Sequence, residues 1–247
     1  DILLTGRVGG FSVSSVYNND GGGVFTDVGA GLEAIRFGSA AWGDYDNDGD
    51  LDILLTGYSS SGRVAKVYRN DGGGSFADIA ANLTGIWRGS ATWGDFDNDG
   101  DVDILLAGDT GSDYVSKIYR NDGAGTFTAV AAGLTGVAFG SVAWGDYDND
   151  GDLDIILTGD TGSNYVSKIY RNDIGVANAV PTAPSDLTTP CGAGQVTLAW
   201  NAATDTETPA TGLTYNVHVS TTTGEGDIVS PMADTTSGWR RVPHRGH

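Results

Sequence analysis

An all-β fold is predicted for this 247-residue chain: a partial β-propeller of four-stranded blades, then an incomplete β-sandwich segment. Three observations predict it. The sequence repeats without gaps at a step of 51 residues. Glycine, 39 in all, punctuates the junctions between short β-forming runs. No segment sustains the 3.6-residue period of an amphipathic helix.

The repeat is plainest in Asp1-Ile-Leu-Leu-Thr-Gly6, which returns at Asp52–Gly57, Asp103–Gly108 and Asp154–Gly159. Tyr17, Tyr68, Tyr119 and Tyr170 each open a Tyr-x-Asn-Asp, and Trp42, Trp93 and Trp144 each precede Gly-Asp. Within residues 39–83 four short runs stand out: Ser39–Trp42, Asp52–Gly57, Val64–Tyr68 and Ser75–Ile79, the last after the turn signal Asn70-Asp71-Gly-Gly-Gly74. Four antiparallel strands per repeat is the arithmetic of a propeller blade. About 3.75 blades are present: three complete with the loop between strands one and two, and strands two to four of an earlier one. The three Trp, beside small residues on the innermost strand, are read as packing between blades rather than as a ligand platform.

That loop between strands one and two carries the chemistry. Asp44-x-Asp46-x-Asp48-Gly49-Asp50-x-Asp52 recurs as Asp95, Asp97, Asp99, Asp101, Asp103 and as Asp146, Asp148, Asp150, Asp152, Asp154. Carboxylates on alternate residues of a tight loop converge on one point, and oxygen-only ligands at this charge density suit Ca²⁺ better than Mg²⁺, which keeps its waters. Three Ca²⁺ sites are expected. The first, third, fifth and ninth Asp are assigned side-chain ligation. The seventh is assigned its backbone carbonyl by analogy with the EF-hand, leaving its side chain spare. An EF-hand itself is excluded, because position twelve is Leu55, Leu106 or Leu157 instead of Glu. The alternative is an acidic solvated turn without metal.

These motifs resemble the FG-GAP or VCBS blade of integrin α-subunit propellers and many secreted bacterial proteins, over about residues 1–178. The resemblance implies structural calcium on one rim, an extracellular or cell-surface setting, adhesion or binding of a protein or carbohydrate ligand on the opposite rim, and usually seven blades. Further blades are then expected upstream, with Asp1 the ninth ligand of a site begun there. An open partial propeller exposes a blade face and an unpaired edge, a route to self-association.

The opposite rim holds the loops that differ most between copies: residues 7–15, 58–63, 109–114 and 160–165, together with Ile35-Arg36-Phe37, Ile86-Trp87-Arg88 and Val137-Ala138-Phe139. A constant scaffold with variable loops is how binding faces are built. Arg36, Phe37, Trp87 and Arg88 are the candidate ligand contacts, the competing reading being that the aromatics plug gaps between blades.

Beyond the repeats the composition changes. Residues 179–190, with Pro181, Pro184 and Pro190, read as a linker. Residues 185–247 resemble a truncated fibronectin type III domain, from strands at Gln195–Trp200 and Leu213–Val219, with a poorly ordered end from Trp239.

Composition narrows the function classes. Of 32 acidic residues 29 are Asp, and the net charge is −19. Such a chain is not expected to bind nucleic acid, which needs clustered Lys and Arg. No run suits a membrane span. The single Cys191 rules out a disulfide framework within the chain. All three His, including His218, His244 and His247, lie outside the repeats, and no nucleophile–base set is found. The chain is therefore expected not to be an enzyme. An ancillary or catalytic propeller of a secreted carbohydrate-active enzyme, with Asp109, Asp113 and Asp160 as the available carboxylates, and a purely architectural spacer are the competing classes.

Overall fold

The computed structural model describes residues 1–148, 150–173, 181–189, 191–192, 195–205 and 215. Two compact units divide the chain, Asp1–Val180 and Pro181–His247. Among the described residues there is no helix, and so none long and apolar enough to cross a membrane.

The first unit is built of four antiparallel sheets in chain order. Blade 1 is β1 (Ile2–Val8), β2 (Phe11–Gly21) and β3 (Val24–Asp27). Blade 2 is β4 (Arg36–Gly43), β5 (Asp52–Ser59), β6 (Gly62–Asn70) and β7 (Phe76–Asp78). Blade 3 is β8 (Trp87–Gly94), β9 (Asp103–Asp109), β10 (Tyr114–Asn121) and β11 (Phe127–Val130). Blade 4 is β12 (Ala138–Gly145), β13 (Asp154–Asp160) and β14 (Tyr165–Tyr170). Strands pair with their chain neighbours only, as in a propeller blade.

The core is a series of blade-to-blade contacts, because successive side chains of a strand point to opposite faces. On β5, Ile53 and Leu55 pack back with Val16, Leu32 and Ile35. Leu54 packs forward with Ile86, Ala91, Ile104 and Leu106. Leu105 of β9 faces forward again, onto Val137, Val142 and Ile155. Strand two of each inner blade thus reads as a continuous apolar run although its sheet is antiparallel, both faces being covered. The same positions in the outer blades lack cover: Ile2 and Leu4, equivalent to Ile53 and Leu55, are 41% and 47% exposed.

The Trp packing expected from the sequence is present. A Cβ on Gly43 would lie 2.4 Å from the Trp93 ring, and one on Gly94 2.4 Å from the Trp144 ring. Each indole therefore lies flat on the backbone of the preceding blade, a place only glycine leaves open. Trp42 meets Phe76, and Trp93 meets Phe127, at ring separations of 6.1 and 6.2 Å.

Two stretches expected to be loops are strand. Residues 7–15 reduce to a two-residue turn at Gly9-Gly10, with Val8 paired to Phe11. Both glycines have positive φ, 56° and 99°, as a tight hairpin of this length requires. In blade 2, Ser59 pairs with Gly62 across an equally short turn.

Tyr68, Tyr119 and Tyr170 reach the segment entering their own blade, their hydroxyls accepting the N–H of Glu33, Thr84 and Thr135 at 3.1, 2.9 and 3.0 Å. Beside them, Lys117 and Lys168 donate to the hydroxyls of Thr84 and Thr135, whereas Lys66 pairs with Glu33 at 2.7 Å. The Lys66 ammonium, helped by the Ser59 and Ser61 hydroxyls, lowers the Glu33 carboxyl from 4.5 to about 2. A carboxyl whose folded pKa lies below its unfolded value adds stability that is present above the unfolded value and lost as pH falls through the window to the folded one. Glu33→Gln is expected to cost about 1 kcal/mol or less at pH 7, as suits a part-exposed pair. Melts of variant and parent should converge between pH 4.5 and about 2.

In the second unit β15 (Ser185–Thr188) pairs with β18 (Ala199–Asn201), and β16 (Cys191–Gly192) with β17 (Gln195–Val196). The strand expected over Gln195–Trp200 is thus split at residues 197–198, its halves serving different partners. Trp200 packs edge-on to Tyr215 at 5.3 Å. The other residues of Leu213–Val219, the three His, the Cys191 side chain and the end from Trp239 lie outside the described residues.

Candidate metal loops and the opposite rim

Each Asp loop follows the innermost strand of its blade. Asp44, Asp46 and Asp48 bring carboxylate oxygens within 4.8 Å of one another, as do Asp95, Asp97 and Asp99. In blade 4 the gathered set is Asp146, Asp148 and Asp154. Asn47 and Asn98, at φ 57° and 59°, and Gly49, Gly100 and Gly151, also at positive φ, turn the loop tightly enough to do this. The loop is also held by its own first residue: Asp95 accepts the N–H of Asp99 and Gly100 at 3.2 and 3.0 Å, and Asp146 those of Asp150 and Gly151 at 3.2 Å each.

The ninth Asp is a hub. Asp52 is fully buried and accepts the N–H of Tyr45 at 2.9 Å and of Asn70 at 2.8 Å. Asp103 does the same for Phe96 and Asn121, and Asp154 for Tyr147 and Asn172. Asp1 accepts the N–H of Asn19 at 2.9 Å, the matching bond of blade 1. The hub ties the loop between strands one and two to the turn after strand three. In blades 2 and 3 it stands outside the gathered triad, though each oxygen keeps a second lone pair.

The seventh Asp is not spare in two of the three loops. Asn47 donates to Asp101 at 2.7 Å, and Asn98 to Asp152 at 2.8 Å, so each loop is pinned to the loop of the next blade. Asp50 is exposed. Sequence reading also passed over the Asn of Tyr-x-Asn-Asp. Asn121 donates to the Tyr45 carbonyl at 2.8 Å and Asn172 to that of Phe96 at 2.7 Å, again between blades. Their constancy in every copy was the available signal.

The electrostatics are those of crowded carboxylates that nearby arginines offset only in part. Burial, with the neighbouring Asp adding to it, pushes Asp103 up to about 8 and Asp52 and Asp95 up to about 6. Asp46, Asp97, Asp101, Asp148 and Asp152 are raised for the same two reasons. Arg69 and Arg120 stand nearby but are paired to Asp71 and Asp122, while Arg171 pairs with Asp173 and also reaches Asp148 at 3.6 Å. Oδ1 of Asp97 is buried with no hydrogen-bond partner. The donor set, hard oxygens held close and in part unsatisfied, fits a divalent cation of the calcium type.

A cleft of about 830 Å³ opens on this rim between blades 1 and 2, lined by Asp1, Trp42, Asp50, Asn70 and Phe76 among others. One blade on, Tyr45 fills the corresponding space against Phe127, at a ring separation of 6.1 Å.

On the opposite rim the candidate contacts begin the innermost strands rather than preceding them. Arg36 and Trp87 are the first residues of β4 and β8, and the pairing slips between Arg36 and Ser39 and between Trp87 and Ser90. Ile35, Ile86 and Val137 are the plugs, all essentially fully buried. Trp87 is half-buried, its ring 5.3 Å from Tyr58 and 6.0 Å from Phe37 of the preceding blade. Phe37 is exposed, and Arg88 stacks on Trp87 at 3.7 Å. Asp109 and Asp160 are tied into their own turns, accepting the N–H of Gly111 and Gly162.

Antiparallel blades in chain order, with an acidic loop after the inner strand, define the class: a partial β-propeller of repeated blades. Residues 44–106 and 95–157 match the FG-GAP-like repeat, so the chain carries two such repeats in tandem. No match was found among curated proteins. Among solved structures the chain is similar to a lectin of Agrocybe aegerita, described for specific recognition of non-reducing terminal N-acetylglucosamine. The likeness has 22% identity and a TM-score of 0.41, over 65% of this chain and 47% of that one. The chain thus spans about half the length of that protein.

Proposed function

We propose that the three Asp loops bind Ca²⁺ and that the cation rigidifies a propeller whose opposite rim binds a ligand outside the cell. The carrying observation is the gathering of carboxylate oxygens within 4.8 Å in all three loops. The first, third and fifth Asp would hold the ion in blades 2 and 3 and the first, third and ninth in blade 4, the remaining Asp of positions one, three, five and nine closing each site and the seventh contributing its carbonyl. Bound calcium supplies positive charge that relieves the repulsion among these groups. The setting is extracellular, where calcium is abundant and sites of modest affinity fill. The binding rim is the one bearing Arg36, Phe37, Trp87 and Arg88, and its role is adhesion to a protein or carbohydrate.

Isothermal titration with Ca²⁺ tests the metal reading. Up to three sites per chain, little heat with Mg²⁺, and loss of one site in Asp97→Ala are expected. Zero stoichiometry would make the loops solvated turns. The uncovered Ile2, Leu4, Ile156 and Ile169 give a route to self-association. Sedimentation should show a mass that rises with protein concentration, and Leu4→Asp should suppress it; a constant monomer mass would rule it out.

A further inference from the structure

The rim opposite the Asp loops carries chemistry that calcium does not use. Among the described residues Arg36, Arg63 and Arg88 form no ion pair, in a chain of net charge −19. Their guanidinium groups lie over rings instead. Arg88 sits 3.7 Å from the centroid of Trp87 and 4.9 Å from that of Phe139. Arg63 sits 5.6 Å from Trp87 and 5.9 Å from Tyr58, and Arg36 4.9 Å from Tyr58. Rings and guanidiniums therefore alternate from blade 2 to blade 4.

Arg36 also donates to the Ser12 hydroxyl at 3.3 Å. A guanidinium held against a ring keeps the planar fork of N–H donors that can take a carboxylate or sulfate through two parallel bonds. Beside these donors Phe37 and Phe139 are 55% and 57% exposed. The backbone is held unusually to present them. Phe37, Arg88 and Phe139, at one position of three successive blades, have φ of 53°, 50° and 53°. The glycine after each lies so close to strand two that a Cβ would fall 1.8, 1.9 and 1.8 Å from the carbonyl oxygens of Thr56, Ala107 and Thr158. Such strain persists where surrounding structure enforces it, and it gathers at ligand clamps.

We propose that this rim binds an anionic saccharide, a sugar bearing a carboxylate or a sulfate. The C–H face of the sugar rests on Phe37 or Phe139, and its acidic group is taken by Arg88 with Arg63. The proposal rests on the reading of this rim as the binding face. A peptide strand fits less well, because the turns here close on themselves: Ser59 pairs with Gly62, and Thr110 and Thr161 donate to the carbonyls of Asp113 and Asn164. Repulsion from the rest of the acidic chain is screened beyond about 8 Å at physiological salt, so the contact is local and a short oligosaccharide suffices.

The test is calorimetric titration of the full chain, in Ca²⁺ and in chelator, with four probes: a tetragalacturonate, a heparin tetrasaccharide, neutral cellotetraose and a hexaglutamate peptide. At least one acidic sugar should bind about tenfold or more tighter than cellotetraose, with the first two probes deciding between carboxylate and sulfate. Arg88→Gly should weaken that binding about tenfold or more without lowering the melting temperature, since glycine takes positive φ freely. Arg88→Lys should not restore it. Binding of neither acidic sugar at millimolar concentration overturns the proposal. Equal binding of cellotetraose that is lost in Arg88→Gly overturns the anionic class and keeps the rim. Binding indifferent to both Arg88→Gly and Arg63→Ala overturns the rim itself. Hexaglutamate binding as tightly as the sugars, with the same sensitivity, overturns the saccharide in favour of an acidic peptide. Acidic-sugar binding that persists in chelator stands apart from the fate of the calcium reading.

Discussion

Millimolar Ca²⁺ is expected to raise the thermal midpoint of the chain by on the order of 10 °C over its value in chelator, with little response to Mg²⁺. A ligand confined to the folded state stabilises it by about 2.7 kcal/mol per site at a hundredfold excess over Kd. For a unit of this size 1 kcal/mol moves the midpoint by roughly 2–4 °C. The pH dependence gives the prediction its sign. In chelator the folded chain holds protons on Asp103, at about 8, and on Asp52 and Asp95, at about 6. An unfolded Asp releases its proton near pH 3.9. Folded pKa values above the unfolded one mean that stability is full below about pH 4 and declines as pH rises through 6 towards 8. Calcium displaces these protons, so its binding tightens as they leave. The calcium-induced shift is therefore expected to be large at pH 8 and small at pH 5. Differential scanning calorimetry at both values, with and without calcium, reads it directly. Cooperative melts indifferent to calcium and flat in pH would refute the metal assignment.

Asp103→Ala is expected to cost about 3 kcal/mol or more, in calcium and in chelator alike. Its carboxylate receives the N–H of Phe96 at 2.9 Å and of Asn121 at 2.8 Å, inside the blade. Truncation leaves both donors without a partner, and each unsatisfied buried group costs about 1–3 kcal/mol. Asp103→Asn keeps one acceptor and removes the crowded charge, so its loss in chelator should be smaller. Asp99→Ala is the contrasting case. That residue is exposed, and its carboxylate receives only the N–H of Asp101. Its loss should be about 1 kcal/mol in chelator and larger in calcium. Urea unfolding with an unchanged m-value measures all three. If Asp103→Ala were harmless in chelator, the hub would be a metal ligand and nothing more.

Much of the architecture was legible because it is local and repeated. The step from Asp1 to Asp52, Asp103 and Asp154 gave the blades. Short β-forming runs marked the strands, and glycine marked the turns between them. The Asp loops were legible for the same reason, since their ligands lie within nine residues. Residues 7–15 were misjudged as a loop because the Gly9-Gly10 turn has no copy elsewhere in the chain, although Val13 and Ser14 recur at Val115 and Ser116. Only the pairing of Val8 with Phe11 reveals the hairpin.

By itself, the sequence determined the all-β class, the number and order of blades, the placement of the acidic loops, and the core position of the Trp. All of these follow from short-range pattern and from repetition. Tertiary structure decided what each carboxylate does. Two Asp of identical type, Asp97 and Asp103, end with opposite surroundings, one with an unpartnered oxygen and the other gripped by two backbone donors. It also decided that Asn47 and Asn98 couple neighbouring loops, that Arg63 lies beside the Trp87 of the next blade, and that Phe37, Arg88 and Phe139 adopt a left-handed backbone. The physical reason is distance along the chain. The contacts of Asn47, Asn98 and Arg63 join neighbouring blades, where no local periodicity marks a partner, and they exist only once those blades have packed face to face.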